Sequence, residues 1–210
     1  MTTIEEERTE VRKRAAGIAA ALGGWKLLPV RDAADWFAEI RSPDNNLTLY
    51  INNTWKKDRL VINGQYYDET NTKRLSPKDT YALKYDETLP EITVANDRPA
   101  EAIAKDIQRR LLPAYAALLG ATRQRATDQA DVRAQEVAAI TEVAEVVGED
   151  VRGDKENQNA RLSVSISRGD VYGDIETYSA NGFKVEFRNV PKATVIAITT
   201  LIATLPVKED

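Results

Sequence analysis

The 210-residue chain contains neither cysteine nor histidine. Without cysteine there is no disulfide, no thiolate nucleophile and no Cys-based zinc or iron–sulfur site. Without histidine the chain lacks the commonest general base, the triads that depend on it and most transition-metal ligands. The chemistry that remains is that of carboxylates and lysines, usually with Mg²⁺. We therefore expect a non-enzymatic protein with no cofactor. A Mg²⁺-dependent hydrolase or nuclease is kept as an alternative, ranked third after the two binding functions described below.

Long apolar runs are also missing. No stretch approaches the roughly 18 apolar residues of a membrane helix, and the first residues, MTTIEEERTEVRKRAAG, are charged where a signal peptide has its apolar core. Phosphate-binding loops, dinucleotide fingerprints and nucleophile elbows are absent too. We expect a cytoplasmic protein with no membrane partner, of the kind found among bacterial or phage accessory proteins.

The overall composition, 42% hydrophobic and 30% charged, is that of a globular protein. The net charge of −4 is unevenly distributed. Residues 25–126 carry 16 basic and 14 acidic side chains, whereas residues 127–210 carry 9 basic and 15 acidic ones. This asymmetry is typical of a basic binding face in the middle of the chain and an acidic interaction surface near its end.

Hydrophobic periodicity predicts an α+β fold, with an antiparallel sheet in each half and helices packed on one face of it. In the segment NLTLYINN, the alternation of Leu47, Leu49 and Ile51 with polar residues indicates a half-buried strand. YALKY reads as a further short extended segment. The predicted organisation is an N-terminal helix in 1–24, a β-meander plus helix in 25–120, a long helix and linker in 121–150, and a smaller unit of two or three strands and a helix in 158–207.

The helices are predicted from apolar stripes at helical spacing. Asn96 or Asp97 is a candidate cap for the helix that follows Pro99, and Pro113 is expected to kink or divide that helix. The polar stretch GEDVRGDKENQNA is the best candidate boundary. The stripes are formed by Ile4, Val11, Ile18 and Leu22; by Ile103, Ile107, Leu111 and Leu118; by Val132, Ala139, Val143 and Val146; and by Val195, Ile198, Thr199, Ile202 and Leu205.

Two strand-to-helix junctions resemble one another. EITVANDRPAEAIAKDIQRRLLP and FKVEFRNVPKATVIAITTLIATLP share a strand, a candidate cap, a proline near the helix start and a Leu-Pro end. An internal repeat of strands followed by a helix would explain the match, and so would the general preferences of such junctions. The small residues of the helix predicted at 121–147 would also permit close approach of a second copy in a homodimer.

The stretch LYINNTWKKDRLVINGQYY combines aromatic and basic residues on predicted strands. Aromatic rings on a sheet can stack bases while Lys and Arg contact phosphates, so the pattern predicts a single-stranded nucleic-acid site. The alternative is an ordinary hairpin, because Trp and Tyr favour strands and lysines protect strand edges. The candidate residues are Trp55, Tyr50, Tyr66 and Tyr67 with Lys56, Lys57, Arg59, Lys73 and Arg74.

A second basic cluster follows Pro99. Lys105 and Arg109 are four residues apart and therefore share a helix face, which could contact a phosphate backbone. Arg110, Arg123 and Arg125 lie nearby in sequence. A solvated helix face explains the pattern equally well.

The segment SRGDVYGDIETYS supplies the acidic candidates Asp170, Asp174 and Glu176. They could form a surface for a basic protein partner, which makes a protein–protein inhibitor or adaptor the second functional hypothesis. They could also hold Mg²⁺, but turns are rich in Asp and Gly for conformational reasons alone. The leading hypothesis is a non-enzymatic accessory protein that binds nucleic acid.

Overall fold

A computed structural model describes residues 4–30, 37–53, 58–157, 160–168, 171–179 and 182–204. Two antiparallel sheets and four α-helices within these ranges confirm the α+β prediction. The chain forms two compact units, Met1–Thr127 and Asp128–Asp210. The elements are α1 (Ile4–Ala21), β1 (Lys26–Leu27), β2 (Phe37–Arg41), β3 (Thr48–Asn53), β4 (Arg59–Gln65), β5 (Glu91–Ala95), α2 (Ala100–Asp106), a π-helical segment (Ile107–Leu111), α3 (Leu112–Val147), β6 (Ser163–Arg168), β7 (Val171–Ser179), β8 (Gly182–Arg188) and α4 (Lys192–Ala203).

The first unit contains a five-stranded antiparallel meander in the order β1-β2-β3-β4-β5. Leu49 and Ile51 are fully buried, as their alternation in the sequence predicts. Cross-strand register places Ile40 opposite Leu49 and Ile51 opposite Ile62. Because side chains alternate between the two faces of a sheet, these apolar residues all lie on one inner face.

Helices cover this inner face. Val11, Ile18 and Leu22 of the predicted stripe are buried in the core of the first unit. The side chain of Ile4 lies outside the described residues. The next helical stretch contributes Ile103, Ile107, Leu111, Tyr115 and Leu119 to the same core, with Leu118 partly buried against it.

The helix around Pro113 is not divided, so of the two predicted effects of the proline only a kink stays a prediction. The chain remains helical from α2 into α3, and the five residues Ile107–Leu111 form a π-helical segment just before the proline. A π-helical segment changes the backbone hydrogen-bond pattern locally, so the missing proline N–H does not end the helix. The helix predicted to begin at about residue 121 is therefore the continuation of α3.

The predicted side-chain caps at Asn96 and Asp97 are wrong, because the N-cap of α2 is Pro99 and no side-chain hydrogen bond caps the helix. Pro191 occupies the same position at α4, and the two prolines have similar backbone angles, with φ −56° and −57°. Proline fits here because the first helical N–H groups have no partner inside the helix. The two junctions thus share a proline at the N-cap of the helix, while an internal duplication stays a prediction.

The second unit contains a three-stranded antiparallel sheet in the order β6-β7-β8. Its small core joins Ile140 and Ala144 of α3 to Val164 of β6 and to Leu162, which immediately precedes β6. The predicted apolar side of this helix is wrong in part, since Val132 and Val146 are exposed. The residues that pack on the sheet lie on a neighbouring stripe that includes Val137 and Val147.

The polar stretch after α3 lies within the second unit and hydrogen-bonds to other parts of it. The buried guanidinium of Arg133 donates hydrogen bonds to the carbonyl oxygens of Asp154, at 2.6 Å, and Lys155, at 3.3 Å. Arg152 and Ser163 exchange backbone hydrogen bonds. Within the described ranges, none of the helices combines the length and apolar character needed to cross a bilayer.

Candidate nucleic-acid interface

The outer face of the first sheet is the face opposite the helices. Strand alternation brings polar and aromatic side chains to it, and most of them are half-buried rather than enclosed. We use the term outer face for the set of Lys26, Phe37, Glu39, Arg41, Thr48, Tyr50, Asn52, Arg59, Val61, Asn63, Gln65, Glu91 and Thr93, as the strand registers assign them.

An aromatic pair lies on this outer face. The rings of Phe37 and Tyr50 stack with centroids 4.2 Å apart and planes inclined by 27°. Asn52 lies opposite Phe37 in the register, and Asn63 lies opposite Tyr50. The pair is therefore flanked by amide groups that can both donate and accept hydrogen bonds.

At the end of the outer face that includes Thr48, the side chains are buried. Thr48 is only 1% exposed, and Glu39 and Gln65 are each 8% exposed. The Tyr67 hydroxyl lies 3.5 Å from Oε1 of Glu39, and Nε of Arg41 donates a hydrogen bond to Oγ1 of Thr48 at 3.2 Å. The prediction for Tyr67 is wrong, because its ring is buried in this covered end.

Tyr66 is buried as well, so its predicted role in stacking bases is also wrong. Its ring contacts Tyr115 on the helical side of the sheet, and its hydroxyl has no hydrogen-bond partner in the described part of the chain. Burial raises the pKa of this hydroxyl far above its ordinary value. Tyr66 and Tyr67 follow one another at the end of β4 and therefore point to opposite faces, but both are enclosed.

The hairpin that carries the predicted Trp55, Lys56 and Lys57 joins β3 to β4, whose last pair is Asn53 with Leu60. These three residues lie outside the described ranges. Arg59 follows them on the outer face, where it is exposed and its Nη2 lies 3.4 Å from the Thr93 carbonyl oxygen.

Lys73 and Arg74 are exposed but do not adjoin Arg59. Arg74 forms a β-bridge with Tyr67, which lies beyond the opposite end of β4 from Arg59. At about 3.3 Å per residue, the length of β4 separates the two sites by roughly 20 Å. The predicted basic residues thus form two groups, one at each end of the strand.

Lys105 and Arg109 lie in the helical layer, on the other side of the sheet from the outer face. Both are exposed, and Arg109 pairs with Asp106 at 3.4 Å. A hydrogen bond from Arg98 at 2.6 Å holds the pKa of the Asp106 carboxyl below its usual value. The structure does not bring this cluster onto the outer face of the sheet.

Arg123 donates hydrogen bonds to the backbone of the segment that follows β4. Its Nε donates a hydrogen bond to the Tyr67 carbonyl oxygen at 2.9 Å, and its Nη2 donates one to the Asp68 carbonyl oxygen at 3.1 Å. A guanidinium that satisfies backbone carbonyls in this way has fewer donors for phosphate.

The acidic candidates of the second unit lie among cations. Asp174 and Glu176 share one face of β7, but Glu176 pairs with Arg161 at 3.5 Å, and Lys184 and Arg188 flank the carboxylate of Glu186 on β8. Asp170 lies outside the described residues. In the part of the chain that the structure describes, no group of three or more acidic side chains could hold a metal ion.

Two features of the structure were not predicted from the sequence. Phe37 shares the face of Tyr50, a placement that the alternation of Phe37, Glu39 and Arg41 in DWFAEIRS could have indicated. YALKY, expected to be extended, forms turns that expose Tyr81 at 78% and Tyr85 at 90%. Nζ of Lys78 lies 5.0 Å from the centroid of the Tyr85 ring.

Comparisons with known proteins give no relative from which a function could be transferred. The chain matches no protein-family model, no curated protein and no solved structure.

Proposed function

We propose that this protein binds single-stranded nucleic acid through the outer face of its first sheet, without catalysing a reaction. The observation that carries the proposal is the stacked pair of Phe37 and Tyr50 on the half-exposed end of that face. The helices cover the other face of the same sheet, and among the described residues Phe37 and Tyr50 lie outside the core of the first unit.

The chemistry of this end suits a base. Stacking of a base on an aromatic side chain contributes about 1–3 kcal/mol per base and tolerates any sequence. The amides of Asn52 and Asn63 beside the pair can hydrogen-bond to base edges. Arg59 carries a positive charge to the same face, next to the hairpin that contains Trp55, Lys56 and Lys57.

A single strand suits this face better than a duplex. The faces of the bases are hidden by stacking inside a double helix and become available only in unpaired strands. Duplex binding that relies on phosphates would favour a dense positive patch. The described residues of the outer face instead mix Lys26, Arg41 and Arg59 with Glu39 and Glu91.

The alternative of a protein inhibitor that acts through an acidic C-terminal surface has weaker support. It requires a continuous field of one sign, and the face with Asp174 and Glu176 also carries Lys184 and Arg188. Neighbouring charges of opposite sign weaken the long-range potential that would steer a basic partner.

Fluorescence anisotropy with a labelled oligothymidylate, measured over a series of salt concentrations, tests the proposal. The parent protein should bind the single strand in preference to a duplex of the same length, with affinity falling as salt rises. Arg59→Ala should reduce the salt slope by about 0.7, the value for one phosphate contact on a single strand. Lys105→Ala removes an exposed charge from the helical layer and is the matched control, for which the slope should not change.

The two variants also separate the proposed face from the other basic cluster. A loss of slope in Lys105→Ala with none in Arg59→Ala would move the phosphate contact to the helices. Absence of binding to single-stranded DNA and single-stranded RNA by the parent, at low salt, would overturn the proposal.

A further inference from the structure

Strand β8 (Gly182–Arg188) ends the second sheet, because it pairs with β7 on one side and with no other strand in the described ranges. The backbone groups along such a free edge can pair with another chain. Soluble proteins usually protect an edge with a very short strand, a proline, a bulge or charged side chains, especially lysine. β8 has seven residues and no proline. Its polar side carries charges of both signs on Lys184, Glu186 and Arg188, and its apolar side carries Phe183, Val185 and Phe187.

The apolar side of β8 is incompletely covered. Val185 is 49% exposed and Phe187 is 38% exposed, whereas Leu162, just before β6, and Val164 of β6 are fully buried in the core that they share with α3. Thus the core under α3 reaches Phe183 of β8, and the apolar side of β8 beyond it, with Val185 and Phe187, is exposed.

Helix α4 (Lys192–Ala203) adds a second uncovered apolar surface. Its sequence, KATVIAITTLIA, has one charged residue, and none of its residues is buried. Val195, Ile196, Leu201 and Ile202 are between 45% and 65% exposed. Exposed apolar residues gathered on one helix favour an interaction site, and only three residues separate the end of β8 from the start of α4.

The order of charges along β8 indicates which strand can pair with this edge. Two copies of β8 paired antiparallel about a two-fold axis place residues of equal parity opposite one another, because the apolar sides must coincide. An axis through Val185 puts Lys184 opposite the Glu186 of the second copy, and Phe183 opposite its Phe187. An axis through Lys184 or through Glu186 would instead put like charges directly opposite each other.

We propose that two copies of this chain dimerise by antiparallel pairing of their β8 strands about Val185. The pairing joins two three-stranded sheets into one of six strands, whose apolar side unites the exposed parts of both copies, and the two α4 helices supply apolar surface to cover it. Each dimer gains two cross-strand pairs of Lys184 with Glu186. Opposite charges at such positions are favourable and like charges are unfavourable.

Charge reversal tests this register. Lys184→Glu and Glu186→Lys each convert both cross-strand pairs into repulsive ones, so each variant alone should dimerise about tenfold or more weakly than the parent. Mixed together, the two variants regain opposite charges at every pair. They should therefore form a heterodimer of near-parental affinity, detectable by native mass spectrometry with one variant isotopically labelled.

Sedimentation velocity over a range of concentrations supplies the dissociation constants, and far-UV circular dichroism checks that both variants fold. The substituted side chains are exposed, so folding should be preserved. A parent protein that stays monomeric to concentrations of about 100 μM, an affinity weaker than that of a specific dimer, would overturn the proposal. So would single variants that dimerise as tightly as the parent, or a mixture that shows no preference for the heterodimer.

Discussion

Tyr66 and Tyr115 meet edge to face in the core of the first unit, with ring centroids 5.4 Å apart and planes at 89°. Their hydroxyl groups differ in hydrogen bonding. The Tyr115 hydroxyl lies 2.5 Å from the Gln65 carbonyl oxygen and accepts the Thr48 N–H at 3.2 Å. The Tyr66 hydroxyl has no partner among the described residues. The pair thus offers two similar buried tyrosines in which one hydroxyl stabilises the sheet and the other does not.

Removal of each hydroxyl should therefore have a different effect on stability. Tyr115→Phe leaves buried backbone groups of β3 and β4 unsatisfied and should lower the free energy of unfolding by about 1–3 kcal/mol. Tyr66→Phe removes a buried polar group that has no partner and should be neutral or stabilising. Urea denaturation of both variants measures the difference, and equal losses in the two would contradict the assignment.

Gly64 provides the space that Tyr115 occupies. A Cβ atom at Gly64 would overlap the Tyr115 ring, so Gly64→Ala should destabilise the protein by about 1–3 kcal/mol or more through overpacking. Gly120 on α3 is the matched control, because a Cβ there meets no atom within 4 Å. Gly120→Ala should stabilise the helix by about 1 kcal/mol. Thermal unfolding would contradict this account if both glycine replacements shifted the melting temperature in the same direction.

The buried tyrosines should make the protein sensitive to alkali. Burial raises the pKa of Tyr115 to about 12 from its ordinary value of 10.0. Because the unfolded chain ionises first, this contribution to stability is complete below about pH 10 and declines as the pH rises towards 12. Tyr115→Phe should flatten that decline, and urea midpoints measured from about pH 8 to about pH 11.5 would reveal it. An unchanged pH profile in the variant would count against burial of the phenol.

The ion pair of Arg98 and Asp106 should act at the other end of the pH range. The Arg98 hydrogen bond lowers the pKa of Asp106, so the pair stabilises the fold above the ordinary Asp pKa of 3.8 and is lost as the pH falls through the lowered value. Asp106→Asn should therefore be less stable than the parent near pH 7 and approach it at strongly acidic pH. A stability difference that did not change with pH would show that the charge of Asp106 is not responsible.

The sheet of the first unit was predictable because its information is local. Leu49 and Ile51 alternate with Tyr50 and Asn52, and this period of two decides which side chains are buried. Helix α1 was predictable for the same reason, since Val11, Ile18 and Leu22 recur at helical spacing. Both patterns are confirmed by burial in the same core.

The errors in the site arose from contacts between residues far apart in sequence. Nothing near Tyr66 or Tyr67 in the chain indicates that Tyr115 and Glu39 enclose them. The placement of Lys105 and Arg109 likewise depends on which face of the sheet α2 covers. Phe37 was overlooked although its alternation with Glu39 and Arg41 was visible, because its stacking on Tyr50 requires the register between β2 and β3.

The affinity of Tyr50→Leu for a single-stranded oligonucleotide at near-physiological salt tests the central claim most directly. Loss of a stacking ring worth about 1–3 kcal/mol should weaken binding by roughly five- to 150-fold. Tyr85→Leu is the control, since it removes an exposed tyrosine that the strand registers do not assign to the outer face. Weaker binding by Tyr50→Leu alone, with both variants folded, is the predicted result. Equal affinities for the parent and Tyr50→Leu would contradict a nucleic-acid site on the outer face of the sheet.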